Sequence, residues 1–296
     1  MISVENLHKS FDRIKAVAGI SFEIPKGEVF GILGPNGAGK TTTINMIVGI
    51  LHPDEGTVRI NGTADPTKPA IRRQIGNAPQ SLALYEDLTA YENLCFFGRL
   101  YGLNKRQLKE RVDYCLDFAQ LTERRRDKVA TFSGGMKRRL NMAVALIHDP
   151  PVLLFDEPTV GIDPQSRNMI FDCIEDLKKD GRTVVYTTHY MEEAQRLCDR
   201  VAIIDKGQIL ALGTVDELTE KYGGQAVLIA DLDAIPENMD ELPGYMEGDR
   251  LRVETTRPFE DLATLNRAGL KIRQLRVDKP DLEVVFLNLT GRRLRD

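Results

Sequence analysis

The sequence predicts an α/β fold, a mostly parallel sheet with helices on its faces, followed by a small α+β domain. Three observations carry that expectation. Short apolar runs alternate with helical patterns through the first two thirds of the chain, as in βα units around a parallel sheet. The glycine-rich stretch "GPNGAGKT", Gly34 to Thr41, directly follows the strand-like "EVFGILG". After about Glu220 the composition shifts at "KYGGQ" and a new series of strands and helices begins.

Taken in order, "SFEI" and "EVFGILG" read as strands before the glycine-rich loop, "PVLLFDE" is an apolar run ending in acids, "TVVYTTH" ends in a histidine, and "VAIID" is closed by the turn "KGQ". Between Ser81 and Ala130 the apolar period becomes three to four, in "LTAYENLCFFGRLYGL" and "KRQLKERVDYCLDFAQL". With the helix that follows Ser133, this predicts a helical subdomain inserted over about 81–150. The expected domains are therefore 1–220 and 221–296. In the second, "AVLIADL", "RLRVETT" and "KIRQLRV" read as strands, and "PFEDLATLNRAG" and "DLEVVFLNLTG" as helices. Leu282, Phe286 and Leu289, at i, i+4 and i+7, mark one buried face of the last helix.

The 296 residues are 42% hydrophobic and 28% charged, which excludes disordered and fibrous classes. Lys plus Arg number 40 against 44 Asp plus Glu, for a net charge of -4. That balance supplies no general pull toward nucleic acid or anionic lipid, and no nucleic-acid partner is expected. Cys95, Cys115, Cys173 and Cys198 are too widely spaced for a zinc site or a disulfide framework, which fits a reducing cytosol. The N-terminus has no basic stretch followed by an apolar one, and no apolar run approaches the ~20 residues that span a bilayer. If the protein serves a membrane, another chain crosses it.

"GPNGAGKT" fits the phosphate-loop pattern G-x-x-x-x-G-K-[ST], in the strand-to-helix context the motif requires. Gly34, Pro35, Asn36, Gly37, Ala38 and Gly39 would curl so that backbone N–H groups point at a phosphate, and a helix opening at Lys40 would add its positive dipole end. Lys40 would neutralise β/γ oxygens, and Thr41, with Thr42 beside it, would hold Mg²⁺ through its hydroxyl. "VLLFDEP" places Asp156 and Glu157 at the carboxyl end of a strand, where open α/β sheets bind ligands. Asp156 is expected to bind the metal and Glu157 to polarise the attacking water.

A second glycine-rich element, "TFSGGMKRRL", opens another helix. Ser133 reads as its N-cap, with Met136, Leu140, Val144 and Ile147 at helical spacing. Lys137, Arg138 and Arg139 fall near the first turn, where cations oppose the helix dipole. That placement makes sense if an anion arrives. One chain hardly needs two phosphate-binding helix starts for one nucleotide, so Ser133, Gly134 and Gly135 are expected to close on the nucleotide held by a second copy, with two-fold symmetry completing both sites.

The order "GPNGAGKT", "PQ" at Gln80, "FSGGMKRRL", "VLLFDEP", "GID" and "TTH" resembles the ATP-binding cassette of ABC transporters, over residues 1 to about 215. The resemblance implies a P-loop cassette with a mostly parallel sheet core and an inserted helical subdomain, binding ATP and Mg²⁺. It implies that Phe11 stacks on adenine, that Gln80, counted among the catalytic and metal-binding residues, links the nucleotide to the membrane partner, and that Asp163 communicates between two cassettes. His189 is similar to the switch histidine that contacts the γ-phosphate. Phe132 and Met136 replace the first and last residues of the family's common Leu-Ser-Gly-Gly-Gln signature. This variant, the "GIDP" loop and the appended C-terminal domain look like the daunorubicin-resistance type of exporter. That likeness implies an ATPase subunit on the cytoplasmic face of the membrane, an ATP-sandwich homodimer that drives separate integral membrane permease subunits. The contrasting expectation is a soluble cassette ATPase acting on ribosomes or DNA.

Overall fold

The computed structural model describes residues 2–233 and 243–292. By its contacts the chain divides into two units at Val215/Asp216.

In the first unit, β1 (Ile2–Phe11) and β2 (Ile14–Ile24) form a hairpin, and β3 (Val29–Leu33) runs into the glycine-rich loop and α1 (Lys40–Val48). β4 (Glu55–Ile60) and the two-residue β5 (Thr63–Ala64) follow, and α2 (Pro69–Arg72) leads into β6 (Ile75–Ala78). The helical region holds α3 (Ala90–Leu100), α4 (Lys105–Phe118) and α5 (Gly134–Leu146). Sequence dictates where these helices start. Thr89 with Glu92 and Asn104 with Gln107 form capping boxes on α3 and α4, each side chain satisfying an otherwise unpaired helix N–H. The chain then re-enters the sheet through β7 (Val152–Asp156), α6 (Pro164–Lys179), β8 (Thr183–Thr188), α7 (Met191–Leu197), β9 (Arg200–Asp205) and β10 (Gln208–Gly213).

The main sheet has the order β10-β9-β3-β8-β7-β6, parallel except for β10. Its central strands are buried throughout: β3 and most of β7 read as apolar runs, and β8 is built of threonine, valine and tyrosine. A separate antiparallel sheet, β2-β1-β4-β5, lies outside the mostly parallel expectation. Its apolar residues, among them Ile2, Leu7, Ile20 and Ile60, share one core with Phe30 and Ile32 of β3 and with Ile44 and Ile47 of α1.

The second unit contains α8 (Val215–Tyr222), β11 (Ala226–Leu232), β12 (Tyr245–Glu247), β13 (Arg250–Thr255), α9 (Pro258–Arg267), β14 (Ile272–Asp278) and α10 (Leu282–Thr290). The strands pair antiparallel in the order β12-β13-β11-β14. Leu265 of α9 packs on Leu228, Ala230, Leu232, Leu251 and Val253, which alternate along the strands as a one-sided sheet requires. Asn288 of α10 donates to the Tyr222 carbonyl at 2.8 Å, tying α8 to this unit. On α10, Leu282 and Phe286 are buried with Val285, and Leu289 is half-buried at the end of the face.

Candidate functional site

Three adjacent strands carry the chemistry to one edge of the sheet. Leu33 of β3 pairs with Thr188 of β8, and Asp156 of β7 pairs with Thr187. The glycine-rich loop after β3, the acids closing β7 and His189 after β8 therefore open side by side at the carboxyl ends of the strands.

The loop is built by close backbone approach. Gly39 has φ +102°, and a Cβ there would stand 2.3 Å from the Ala16 carbonyl oxygen, so only glycine fits. α1 begins at Lys40, whose side chain folds back over the loop. Its ammonium donates to the carbonyls of Gly34 at 2.7 Å and Pro35 at 3.0 Å, and stands 2.9 Å from Glu157 Oε1. Three acceptors match the three hydrogens of the ammonium group.

Glu157 is where the predicted residues converge. Its Oε2 accepts from Gln80 Nε2 at 3.3 Å and lies 3.4 Å from His189 Nδ1. Its backbone has φ +46°, a conformation that costs a non-glycine residue energy and that tends to persist at functional sites. Thr187 holds that backbone: its Oγ1 accepts from Glu157 N at 2.9 Å and donates to Asp156 Oδ1 at 2.5 Å. Both acids are thus positioned by one hydroxyl on the neighbouring strand. Thr187 opens the "TTH" motif, but nothing in that motif alone indicates that its hydroxyl holds both acids.

An open cavity of about 450 Å³ is lined by Asn36, Gly37, Gly39, Lys40, Thr41 and Thr42 with Gln80 and Glu157, and is edged by Phe11, Ile14 and Ala16. Phe11 is 47% exposed, with Lys9 Nζ 5.9 Å from its ring centroid. Gly34, Pro35 and Ala38 do not line the cavity. The Thr41 hydroxyl, the Gln80 amide and the Asp156 carboxylate all offer oxygen donors, the chemistry a hard divalent cation takes. Among the described residues no group of three His, Cys, Asp or Glu could hold a metal unaided. These donors therefore fit Mg²⁺ shared with substrate phosphates, its usual mode of binding.

Ser133, Gly134, Gly135 and Asp163 do not line this cavity. Ser133 caps α5, accepting from Met136 N at 3.3 Å. A Cβ on Gly135 would meet Ser166 Cβ at 2.4 Å, so packing of α5 against α6 demands that glycine; at Gly134 the nearest atom would be Ile162 Cδ1 at 3.5 Å, and packing demands nothing. Asp163 caps α6, accepting from Ser166 N at 2.9 Å, and the Ser166 N–H and hydroxyl hold its carboxyl below its ordinary value. The three cations of α5 need no arriving anion. Lys137 pairs with Glu86 at 2.5 Å, Arg138 donates to the Gln80 carbonyl and buried Arg139 to the Ala119 carbonyl. Internal acceptors offset their conflict with the helix dipole, which corrects the expectation drawn from their position.

The parallel sheet, the glycine-rich loop with its folded-back lysine and the acids at the next-but-one strand end define a P-loop nucleotide-binding cassette. The ABC transporter family pattern matches residues 17–160. The chain is 43% identical over 314 positions to the linearmycin resistance ATP-binding protein LnrL of Bacillus subtilis (strain 168), covering 100% of both chains. It is 41% identical to the Nod factor export ATP-binding protein I of Paraburkholderia xenovorans (strain LB400), covering 100% of this chain and 98% of that one. Among solved structures, an ATP-binding subunit of an ABC transporter aligns with a TM-score of 0.68 at 31% identity, over 75% of this chain and 93% of that one. A dimeric ATP-binding cassette in a post-hydrolysis state, bound to ADP and Pi, aligns with a TM-score of 0.66 at 29% identity, over 72% of this chain and 98% of that one. The protein belongs to the ABC transporter family, as an ABC ATPase and the ATP-binding subunit of a transporter.

Proposed function

We propose that this subunit powers export, as a head-to-tail homodimer that closes on ATP and drives separate integral membrane permease subunits from the cytoplasmic face. The convergence of Lys40 Nζ, Gln80 Nε2 and His189 Nδ1 on the Glu157 carboxylate, at 2.9 to 3.4 Å, carries the catalytic part of the reading. The export part is supported by relatives named for linearmycin resistance and Nod factor export, which align with this chain from end to end. In domain terms, the cassette runs to Val215 rather than to the expected 220, because α8 packs with the second unit, and that unit serves as an accessory domain.

Lys40 has no unused hydrogen, so an entering triphosphate replaces one of its partners. Exchange of Glu157 for the β/γ oxygens releases that carboxylate to take the proton of the attacking water. Gln80 and His189, already beside Glu157, then face the water and the γ-phosphate. Thr41, Gln80 and Asp156 would hold Mg²⁺, which would supply positive charge against the phosphate oxygens. Phe11, at the rim, stacks on adenine. Ser133, Gly134 and Gly135 of the second copy close over the γ-phosphate, and Gly134, which internal packing leaves unconstrained, permits close backbone approach. Asp163, fixed as a helix cap, stands at the junction of the copies. Binding closes the dimer and hydrolysis reopens it.

Affinity purification of the tagged protein from detergent-solubilised cells of its own source tests this reading. Recovery of a multi-span membrane protein supports it. Recovery of ribosomal or DNA-bound proteins alone transfers the ATPase to a soluble role.

A further inference from the structure

Glu193 is a carboxylate that the hydrolysis reading does not use, yet it is only 1% exposed. It stands on α7, four residues beyond His189. Its Oε2 accepts two hydrogen bonds, from the Tyr186 hydroxyl at 2.8 Å and from Thr188 Oγ1 at 2.7 Å. Thr188 Oγ1 in turn accepts from Tyr190 N at 2.9 Å. Thr188 precedes His189 and Tyr190 follows it, so one carboxylate ties down the backbone on both sides of the histidine. The Tyr190 ring packs 4.1 Å from the imidazole, centroid to centroid.

From the other side Arg167, on α6, brings Nε to 3.7 Å from Glu193 Oε1, with its guanidinium 5.0 Å from the centre of the Tyr190 ring. Neither Glu193 Oε1 nor Arg167 Nε has a hydrogen-bond partner.

An ion pair with loose geometry and only its carboxylate fully buried is poor as a stabiliser, because desolvating that carboxylate is costly and an apolar side chain of similar volume would pack without the cost. The first turn of α7 favours an acid, but a dipole preference is met equally by a solvated one such as Glu192. Neither explains two hydroxyls aimed at the same oxygen. We propose that Glu193 is a positioning residue for His189: through Thr188 and the Tyr190 amide it fixes the turn that holds the imidazole beside Glu157, with Arg167 tethering the same carboxylate to α6. The proposal rests on the reading of His189 as the γ-phosphate contact.

The test uses the full-length chain and measures kcat and KM for ATP together with the histidine ring resonances by ¹H–¹⁵N NMR, which the four histidines keep resolvable. The variants are Glu193→Gln, Thr188→Val, Thr188→Ser and His189→Ala. Glu193→Gln and Thr188→Val are expected to lower kcat by about 10- to 100-fold, the scale of a misplaced catalytic group, with KM within about twofold and the His189 resonances displaced. Thr188→Ser keeps the hydroxyl and is expected to restore both. Normal kcat in Glu193→Gln and Thr188→Val, beside an inactive His189→Ala, overturns the role of Glu193 and leaves His189 standing. Normal turnover in His189→Ala overturns the His189 reading and with it this one. A fallen kcat with unmoved His189 resonances also overturns the proposal. Should Glu193→Gln fail to fold, Arg167→Gln reads the same tether from its partly exposed end, and unmoved His189 resonances there count against it.

Discussion

Lys40 Nζ lies 2.9 Å from Glu157 Oε1, and the two side chains are 4% and 5% exposed. The lysine of the glycine-rich loop and the acid that ends β7 are thus a buried pair, and in the proposed cycle each would block the other from its partner in turnover. The proposed function requires that entry of nucleotide separates them. Glu157→Gln keeps the shape and removes the base, and is expected to lower the hydrolysis rate by about 10²- to 10⁴-fold while ATP still binds. Phosphate release and light scattering with ATP check this, the expected product being a trapped ATP-bound dimer. Near-normal hydrolysis would falsify the assignment.

Lys40→Ala removes the cation and strands the buried Glu157 carboxylate. Breaking a buried pair from one side costs about 3–5 kcal/mol. The variant is expected to lose nucleotide affinity and to unfold at lower urea than the parent. Lys40→Ala combined with Glu157→Gln should recover stability but not binding, a double-mutant cycle that separates the two effects.

Thr187→Val leaves the volume nearly constant and removes the hydroxyl that joins Asp156 to the Glu157 amide. An unsatisfied buried amide costs about 1–3 kcal/mol. Thermal unfolding should register that loss, and turnover should fall further than the stability change explains, since both acids lose their anchor. Thr187→Ser is expected to restore both.

His148 provides a pH signature away from the site. It stacks flat on Tyr101 at 3.6 Å, lies 3.1 Å from the Ile75 carbonyl through Nε2, and burial pushes its imidazole down to about 4. The unfolded chain takes up this proton below about 6.5 and the folded chain only near 4, so the neutral ring's contribution is present above 6.5 and is lost as pH falls from there through 4. Urea midpoints should drop across that window with a limiting slope of about 1.4 kcal/mol per pH unit from this group. The drop should flatten in His148→Phe. Equal slopes in the two proteins would show that His148 does not titrate in the unfolding reaction.

Motifs built from neighbouring residues are legible because their geometry is local. "GPNGAGKT" specifies a turn that glycine alone can make at Gly39 and a helix start at Lys40, and Ser133 followed by an apolar period specifies the start of α5. The antiparallel sheet at the N-terminus was harder to read. β1 is broken by register shifts and by Asn6 at φ +47°, so its burial does not alternate cleanly. β6 has four residues, one of them glycine, and is recognisable as a strand only by its pairing with β7.

Local pattern thus specified the phosphate loop, the strand-ending acids and the Ser133 cap, each from residues within a few positions of one another, and the order of such motifs along the chain specified the cassette class. Tertiary structure alone decided which distant groups meet: Lys40 with Glu157, Thr187 with both acids, and Arg138 with the Gln80 carbonyl. The reason is the parallel sheet itself. It sets β3, β8 and β7 side by side although they are far apart in the chain, and hydrogen bonds between strands follow register, which no single stretch of sequence contains.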